Sequence, residues 1–208
     1  MEYLITGMPT ETDEELLQRM RGGDEQAFVV LYRKLQGPIY RFVLNITGSI
    51  GVAEDVTQEV FLALIRNNCG FDAGRGTLSA YLFGIARKLV LRQLQRNRTM
   101  VEQEIQADEW GYPELGVTQD PIVDLLHTEG LEVLRRAVLS LPRRYREVVV
   151  LCDLEEMDYT QAAAVLECPV GTVRSRLHRA RALLLEKLQE KRDARLEVGA
   201  LSPARSSI

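Results

Sequence analysis

Apolar residues recur along most of this chain at intervals of three and four, the repeat of helices with one buried side. Thr12 and Glu15 are spaced as a capping box ahead of Leu16, Leu17 and Met20, and Gly22-Gly23 closes that helix. Asp24 caps a longer helix carrying Phe28, Leu31, Tyr32, Leu35, Ile39, Phe42, Val43 and Ile46. Pro38 lies inside this pattern and is expected to kink the helix or split it after Gly37. A third helix spans Ile50 to Arg66, with Val52, Val56, Val60 and Ala63 inward and Glu54, Asp55, Gln58 and Glu59 outward. After the glycine-rich loop Asn67 to Thr77, a fourth spans Leu78 to Arg98. It packs Leu78, Leu82, Ile85, Ala86 and Leu89 and turns Arg87, Lys88, Arg92, Arg96 and Arg98 outward.

Periodicity fades between Thr99 and Thr128, where Gly111, Pro113, Gly116, Pro121 and many acids predict an extended, poorly ordered linker. Thr128 then caps a helix bearing Leu131, Leu134, Val138 and Leu141, and Pro142 opens another that packs Tyr145, Val148, Val149 and Cys152. A short helix, Tyr159 to Leu166, leads through Glu167-Cys168-Pro169 into a longer helix beginning after Pro169. One side of that last helix is apolar, with Val173, Leu177, Ala180, Leu184 and Leu188. The opposite side holds Gly171, Ser175, His178 and Arg179, flanked by Arg174, Arg176 and Arg181, with no acid between Glu167 and Glu186. From Asp193 onward, Gly199, Pro203 and three serines predict a frayed end. The expected fold is all-α, with two small helical domains: residues 12–98, an acidic flexible linker 99–128, a helix-turn-helix domain 129–191 and a disordered tail 192–208.

Composition refines this picture. With 208 residues and 46% hydrophobic content, the chain can form one ordinary domain or two small ones with adequate cores. No run approaches the ~18 apolar residues of a membrane helix, and the start lacks the basic-then-apolar order of a secretory leader. A soluble, cytoplasmic protein without membrane insertion is expected. Cys69, Cys152 and Cys168 have no zinc-ligand spacing and read as reduced thiols. No metal or cofactor is expected, and the absence of carboxylate–His, Cys–His or metal-spaced clusters disfavours a hydrolase or transferase.

The net charge of −4 conceals a segregation. Phe83 to Arg98 holds five basic residues and no acid, Thr99 to Leu134 holds acids but no Lys or Arg, and the final third turns basic again. The last helix has the layout a major groove demands: small residues for close approach, polar ones for base edges, arginines for phosphates. On a core helix the same charges would be a solvated face, but a short helix and tight turn precede it, as in a helix-turn-helix. The loop beside the cationic fourth helix suits a single strand with one base swung out, since the loop can enclose the base and the helix follow the backbone.

Here a resemblance becomes specific. Asp158-Tyr159-Thr160, PVGTVRSR and RAR resemble the promoter-reading helix-turn-helix of bacterial sigma factors of the extracytoplasmic-function type. TLSAYLFGIARK resembles the element that melts and reads the −10 region, and VAEDVTQEVFLAL the helix that grips the clamp helices of RNA polymerase's largest subunit. The resemblance covers about Asp13 to Lys191. It implies a promoter-specificity subunit, not an enzyme, with core RNA polymerase and promoter DNA as partners and an anti-sigma protein holding it inactive.

Carried over residue by residue, Thr172, Arg174, Ser175, Arg176, His178, Arg179 and Arg181 would contact the −35 duplex. Of these, Arg174, Arg176 and Arg181 would hold phosphates, and Ser175, His178 and Arg179 would face base edges. Asn67, Asn68, Phe71, Arg75, Arg87, Lys88 and Arg92 would serve the −10 strand, and Asp55, Gln58 and Glu59 the polymerase. The family has Trp at Tyr81, Asn at Lys88 and Gly at Glu167. Tyr81 is expected in the core, Lys88 would offer a charge in place of a base or sugar hydrogen bond, and a left-handed backbone would strain Glu167. The linker is either a passive tether or an acidic strand threading polymerase's channels. Two rivals remain: a stand-alone helix-turn-helix regulator with an N-terminal sensing domain, and a helical adaptor that binds only proteins.

Overall fold

A computed structural model describes residues 11–66, 70–104 and 129–200, and among them every regular element is helical. The elements are α1 (Asp13–Arg21), α2 (Glu25–Thr47), α3 (Ile50–Arg66), a 3-10 turn (Ala73–Arg75) and α4 (Leu78–Glu104). After the segment 105–128 follow α5 (Glu129–Leu139), α6 (Arg143–Val149), a π-turn (Val150–Leu154), α7 (Tyr159–Leu166) and α8 (Val170–Ala200).

Local chemistry sets most of these ends. At α1 the Thr12 hydroxyl accepts from the Glu15 amide at 3.3 Å, and the Glu15 carboxylate accepts from the Thr12 amide at 2.8 Å. Asp24 accepts from the amides of Gln26 and Ala27 to start α2. Pro38 neither splits nor ends α2, which is one helix through it. Buried Leu35, Ile39, Phe42 and Val43 on both sides hold the helix together against the loss of one backbone bond. Two helices outlast their expected ends. Thr99 to Glu104, rich in helix formers, extends α4, and residues 193–200, where fraying is expected, continue α8.

The helices α1 to α4 pack around α2, with Phe28, Tyr32 and Phe61 clustered on one side and Phe42 against Phe83 at 5.3 Å. In the second half α6 and α7 pack on α8, whose Val173, Leu177 and Ala180 are buried. The halves predicted as separate domains are docked on each other. Helix α2 meets α5, α6 and the π-turn, α4 meets α7, and one apolar cluster runs through both. At Gly48, a left-handed C-cap with φ 72°, an added Cβ would stand 3.4 Å from Leu139 of α5, so glycine serves both the turn and the docking.

Candidate nucleic-acid interface

The helix-turn-helix is built as its sequence dictates. Asp158 caps α7 by accepting from the amides of Thr160 at 2.8 Å and Gln161 at 2.9 Å. The turn keeps the left-handed geometry that strains a non-glycine residue, with Glu167 at φ 52° and ψ 46°. It is closed by bonds from the amides of Glu167 and Cys168 to the last turn of α7. Burial of Val173, Leu177 and Ala180 fixes the roll of α8 and leaves Arg174, Ser175, His178, Arg179 and Arg181 exposed, with Thr172 and Arg176 half-buried. The Ser175 hydroxyl donates to the Thr172 carbonyl at 3.1 Å. Arg174 lies over the Tyr159 ring at 5.8 Å. A hydrogen bond from Arg179 holds the Tyr145 phenol below its ordinary pKa, which also orients that guanidinium. Arg181 differs from its neighbours: Asp153 takes two of its N–H groups, at 2.5 and 3.0 Å, so its charge is partly spent within the protein.

The second site lies at the start of α4. Asp72 accepts from the Gly74 amide at 2.9 Å to shape the 3-10 turn, and the Thr77 hydroxyl accepts from the Ala80 amide at 3.2 Å to start α4. The Phe71 and Tyr81 rings stand 5.6 Å apart at 55°. Tyr81 packs against the core, as its spacing predicts, and also lines a cleft of about 400 Å³ with Phe71, Asp72, Arg75 and Lys88. The far wall is Ala164, Val165 and Glu167 of the helix-turn-helix. Arg75 and Arg92 are exposed. Arg87, expected outward, is half-buried and turned to Glu147 of α6 at 3.4 Å, because the docked half brings a buried carboxylate over it. Asn67 and Asn68 fall outside the described residues. On α3, Asp55, Gln58 and Glu59 share an exposed face with Glu54.

Comparison with known proteins shows which family the chain belongs to. Family models described as sigma-70 region 2 and sigma-70 region 4 match residues 31–99 and 131–184. The ECF RNA polymerase sigma-E factor of Escherichia coli is 30% identical over 86% of this chain and 95% of its own. The ECF sigma factor SigW of Bacillus subtilis is 26% identical over 84% and 95%. This chain is an extracytoplasmic-function sigma factor. It therefore acts in promoter-specific transcription initiation with RNA polymerase, and its helical fold is shared by solved relatives. CnrH, solved with the cytosolic domain of CnrY, superposes with a TM-score of 0.64 at 25% identity, over 86% of this chain and 99% of that one. The sigma factor RpoE of Bartonella quintana, solved with the anti-sigma factor NepR, gives 0.63 at 24% identity, over 78% and 96%.

In this sigma factor the region 2 match spans most of α2 with α3 and α4, and the region 4 match spans α5 to the middle of α8. Among the described residues, polar contacts tie the two, and periodicity could not reveal them. Arg146 of α6 donates to the Ile46 carbonyl at the end of α2 at 2.5 Å and to the Leu139 and Leu141 carbonyls of its own half. Arg41 of α2 grips Glu155 at 2.8 and 3.2 Å. Arg87 faces Glu147, and Lys88 meets Glu167 at 2.9 Å. The last pair is exposed on both sides and contributes about 0–1 kcal/mol. Glu147 was the one visible hint: an acid between buried Tyr145 and the apolar run Val148 to Leu151 either breaks a core or finds a cation in it. Among the described residues no group of His, Cys, Asp and Glu could hold a metal, and no helix is long and apolar enough to cross a membrane.

Proposed function

We propose that this sigma factor works in the cytoplasm without catalysis of its own, binding core RNA polymerase through Asp55, Gln58 and Glu59 of α3. It reads the −35 duplex with the outer face of α8 and opens DNA at the cleft beside α4. On α8, Arg174 and Arg176 hold phosphates, while Thr172, Ser175, His178 and Arg179 face the bases. Arg181 joins the phosphate contacts only by exchanging Asp153 for DNA. At the cleft, Phe71 and Tyr81 offer aromatic faces to a swung-out base, with Arg75, Lys88 and Arg92 along the strand. Stacking on such rings is worth about 1–3 kcal/mol per base, the scale needed to offset the few kcal/mol of unstacking. An anti-sigma partner follows from the relatives solved with NepR and CnrY.

The observation that carries this reading is the exposed, acid-free face of α8, set by the burial of Val173, Leu177 and Ala180 on the other side. Run-off transcription with core polymerase over a promoter library tests it. Promoter-dependent transcripts are expected, and Arg179→Ala should reduce discrimination between the selected −35 sequence and a scrambled one by about ten- to a hundredfold, the loss of one good base contact. Equal discrimination by both proteins would remove Arg179 from the reading face. A repressor or an adaptor would yield no transcripts at all.

A further inference from the structure

Arg174, Arg179 and Arg181, exposed on the outer face of α8, meet three different kinds of group, and the kind decides what each can still do. Arg181 gives two N–H groups to the Asp153 carboxylate, a partner that cancels its charge. Arg174 lies over the Tyr159 ring, which leaves its charge intact but fixes no N–H direction. Arg179 donates to the phenol oxygen of Tyr145. A neutral hydroxyl takes one N–H and holds one corner of the guanidinium, and the charge and the remaining donors stay free for a ligand. Of these three contacts, the last aims an arginine without spending it.

Tyr145 is itself firmly held. It stands on α6, which packs against α8, and its ring is part of the apolar core at 8% exposure. The Arg144 guanidinium covers a face of the ring at 4.8 Å from its centre. A core at this place needs the ring alone, so packing leaves the hydroxyl unexplained. Its partner also stands apart from the other cations. Arg174, His178 and Arg181 line one groove with Tyr159 of α7, whereas Arg179 is turned to the other edge of α8, toward α6. The reader helix is thus flanked by a tyrosine on either side, and the buried one holds the arginine best placed for a base edge.

We propose that Tyr145 is a positioning residue for promoter reading, its hydroxyl presetting Arg179 so that the guanidinium fork meets O6 and N7 of a guanine in the −35 duplex. The proposal rests on the promoter reading given above and adds the group that sets how sharply Arg179 discriminates. Guanine presents two acceptors side by side in the major groove, which no other base does. An arginine without an anchor samples many rotamers, and ordering it on binding lowers affinity about two- to tenfold. It also reaches phosphates as readily as bases, and a phosphate contact carries no sequence information. Removal of the hydroxyl therefore costs discrimination at one base pair more than it costs binding as a whole.

Core polymerase loaded with full-length wild type, Tyr145→Phe, Arg179→Ala or the double variant is given a promoter the chain transcribes. Each guanine of the −35 element, on either strand, is replaced in turn by 7-deazaguanine, which lacks the N7 acceptor and keeps its pairing. Wild type should lose roughly tenfold in run-off transcript at one of these guanines. Tyr145→Phe should lower transcript from the natural template about two- to tenfold and respond at that guanine by less than about twofold, with every other guanine read as in wild type. The double variant should match Arg179→Ala. A ring that merely fills the core would leave the deazaguanine profile unchanged, and that outcome overturns the proposal, as does a wild type indifferent to every replacement. NMR of ring-labelled tyrosine in the free protein reads the contact itself. The resonance missing from Tyr145→Phe should titrate below an ordinary phenol and move up in Arg179→Ala, and a resonance that stays in place removes the contact. Should Tyr145→Phe lose its helical signal, para-fluorophenylalanine at position 145 fills the hydroxyl's space without holding Arg179 and carries the same expectations. Absence of any promoter-dependent transcript would instead sink the promoter reading, with the tyrosine resonance still deciding whether Tyr145 holds Arg179.

Discussion

Replacing Arg146 by Ala tests the polar joint between the halves. The guanidinium donates to the carbonyls of Ile46, Leu139 and Leu141. Ile46 and Leu139 lie in the last turns of α2 and α5, where helical carbonyls have no partner within their own helix. One side chain therefore caps two helices from different halves. Net contributions of hydrogen bonds to a charged group run at about 1.5–3 kcal/mol each, so three bonds set an upper limit of roughly 5–9 kcal/mol. The site is only partly buried, and water can reach some of the freed carbonyls, which brings the expected loss to about 3–4 kcal/mol. An ordinary surface Arg→Ala change stays within about 0.5 kcal/mol. Arg146→Lys should recover only about a third, because a point ammonium cannot fork to three acceptors. Urea unfolding followed by far-UV circular dichroism reads the change in midpoint. A loss under about 1 kcal/mol for Arg146→Ala, or full rescue by lysine, would refute the capping argument.

Two further outcomes follow from titratable groups. Burial first, then the neighbouring Asp153 charge, pushes the Cys152 thiol from 9.0 up to about 11. Iodoacetamide at pH 8 should therefore alkylate Cys152 in the native protein about a hundredfold more slowly than in urea, the ratio of thiolate fractions. Peptide mass spectrometry checks this, and a native rate within a few-fold of the unfolded one would contradict it. Burial also raises the Glu155 carboxyl above its ordinary 4.5, only partly offset by Arg41. A carboxyl raised on folding is protonated more readily in the folded chain, so its burial penalty holds at neutral pH and is relieved as pH falls toward the raised value. Between pH 7 and 5 wild type should gain stability relative to Glu155→Gln. A difference that moves the other way would mark Glu155 as a net-stabilised ion pair.

Much of the fold was legible because helices write themselves locally. Thr12 with Glu15, Asp24, Asp158 and Pro169 each mark a start found at that residue or the next. The exposed and buried sides of α8 follow from spacing alone. Pro38 was misleading, since its local penalty is small against the packing of a long buried helix. What could not be read was everything set by contacts distant in sequence. Arg87 looks like an outward cation until Glu147 is brought over it. Arg41, Arg146 and Glu155 carry no periodic or motif signature, because the partners that join the halves, the Ile46 carbonyl for Arg146 and Arg41 for Glu155, lie a hundred or more positions away along the chain. Lys88 and Glu167 each depart from the family pattern in the sequence, but only the docked structure sets one beside the other.

The π-turn at Val150–Leu154 closes with a bond from the Glu155 amide back to the Val150 carbonyl at 2.9 Å. It holds one residue more than an α-helical turn of the same height. That surplus sets the azimuth of everything after it. Deleting a single residue there would let α6 wind on as regular helix and rotate the following chain by about 100°. Asp153 would leave Arg181, Glu155 would leave Arg41, and the reader helix would face elsewhere with every one of its own residues intact. In this chain, aim depends on an odd-sized gear tooth well upstream of the blade.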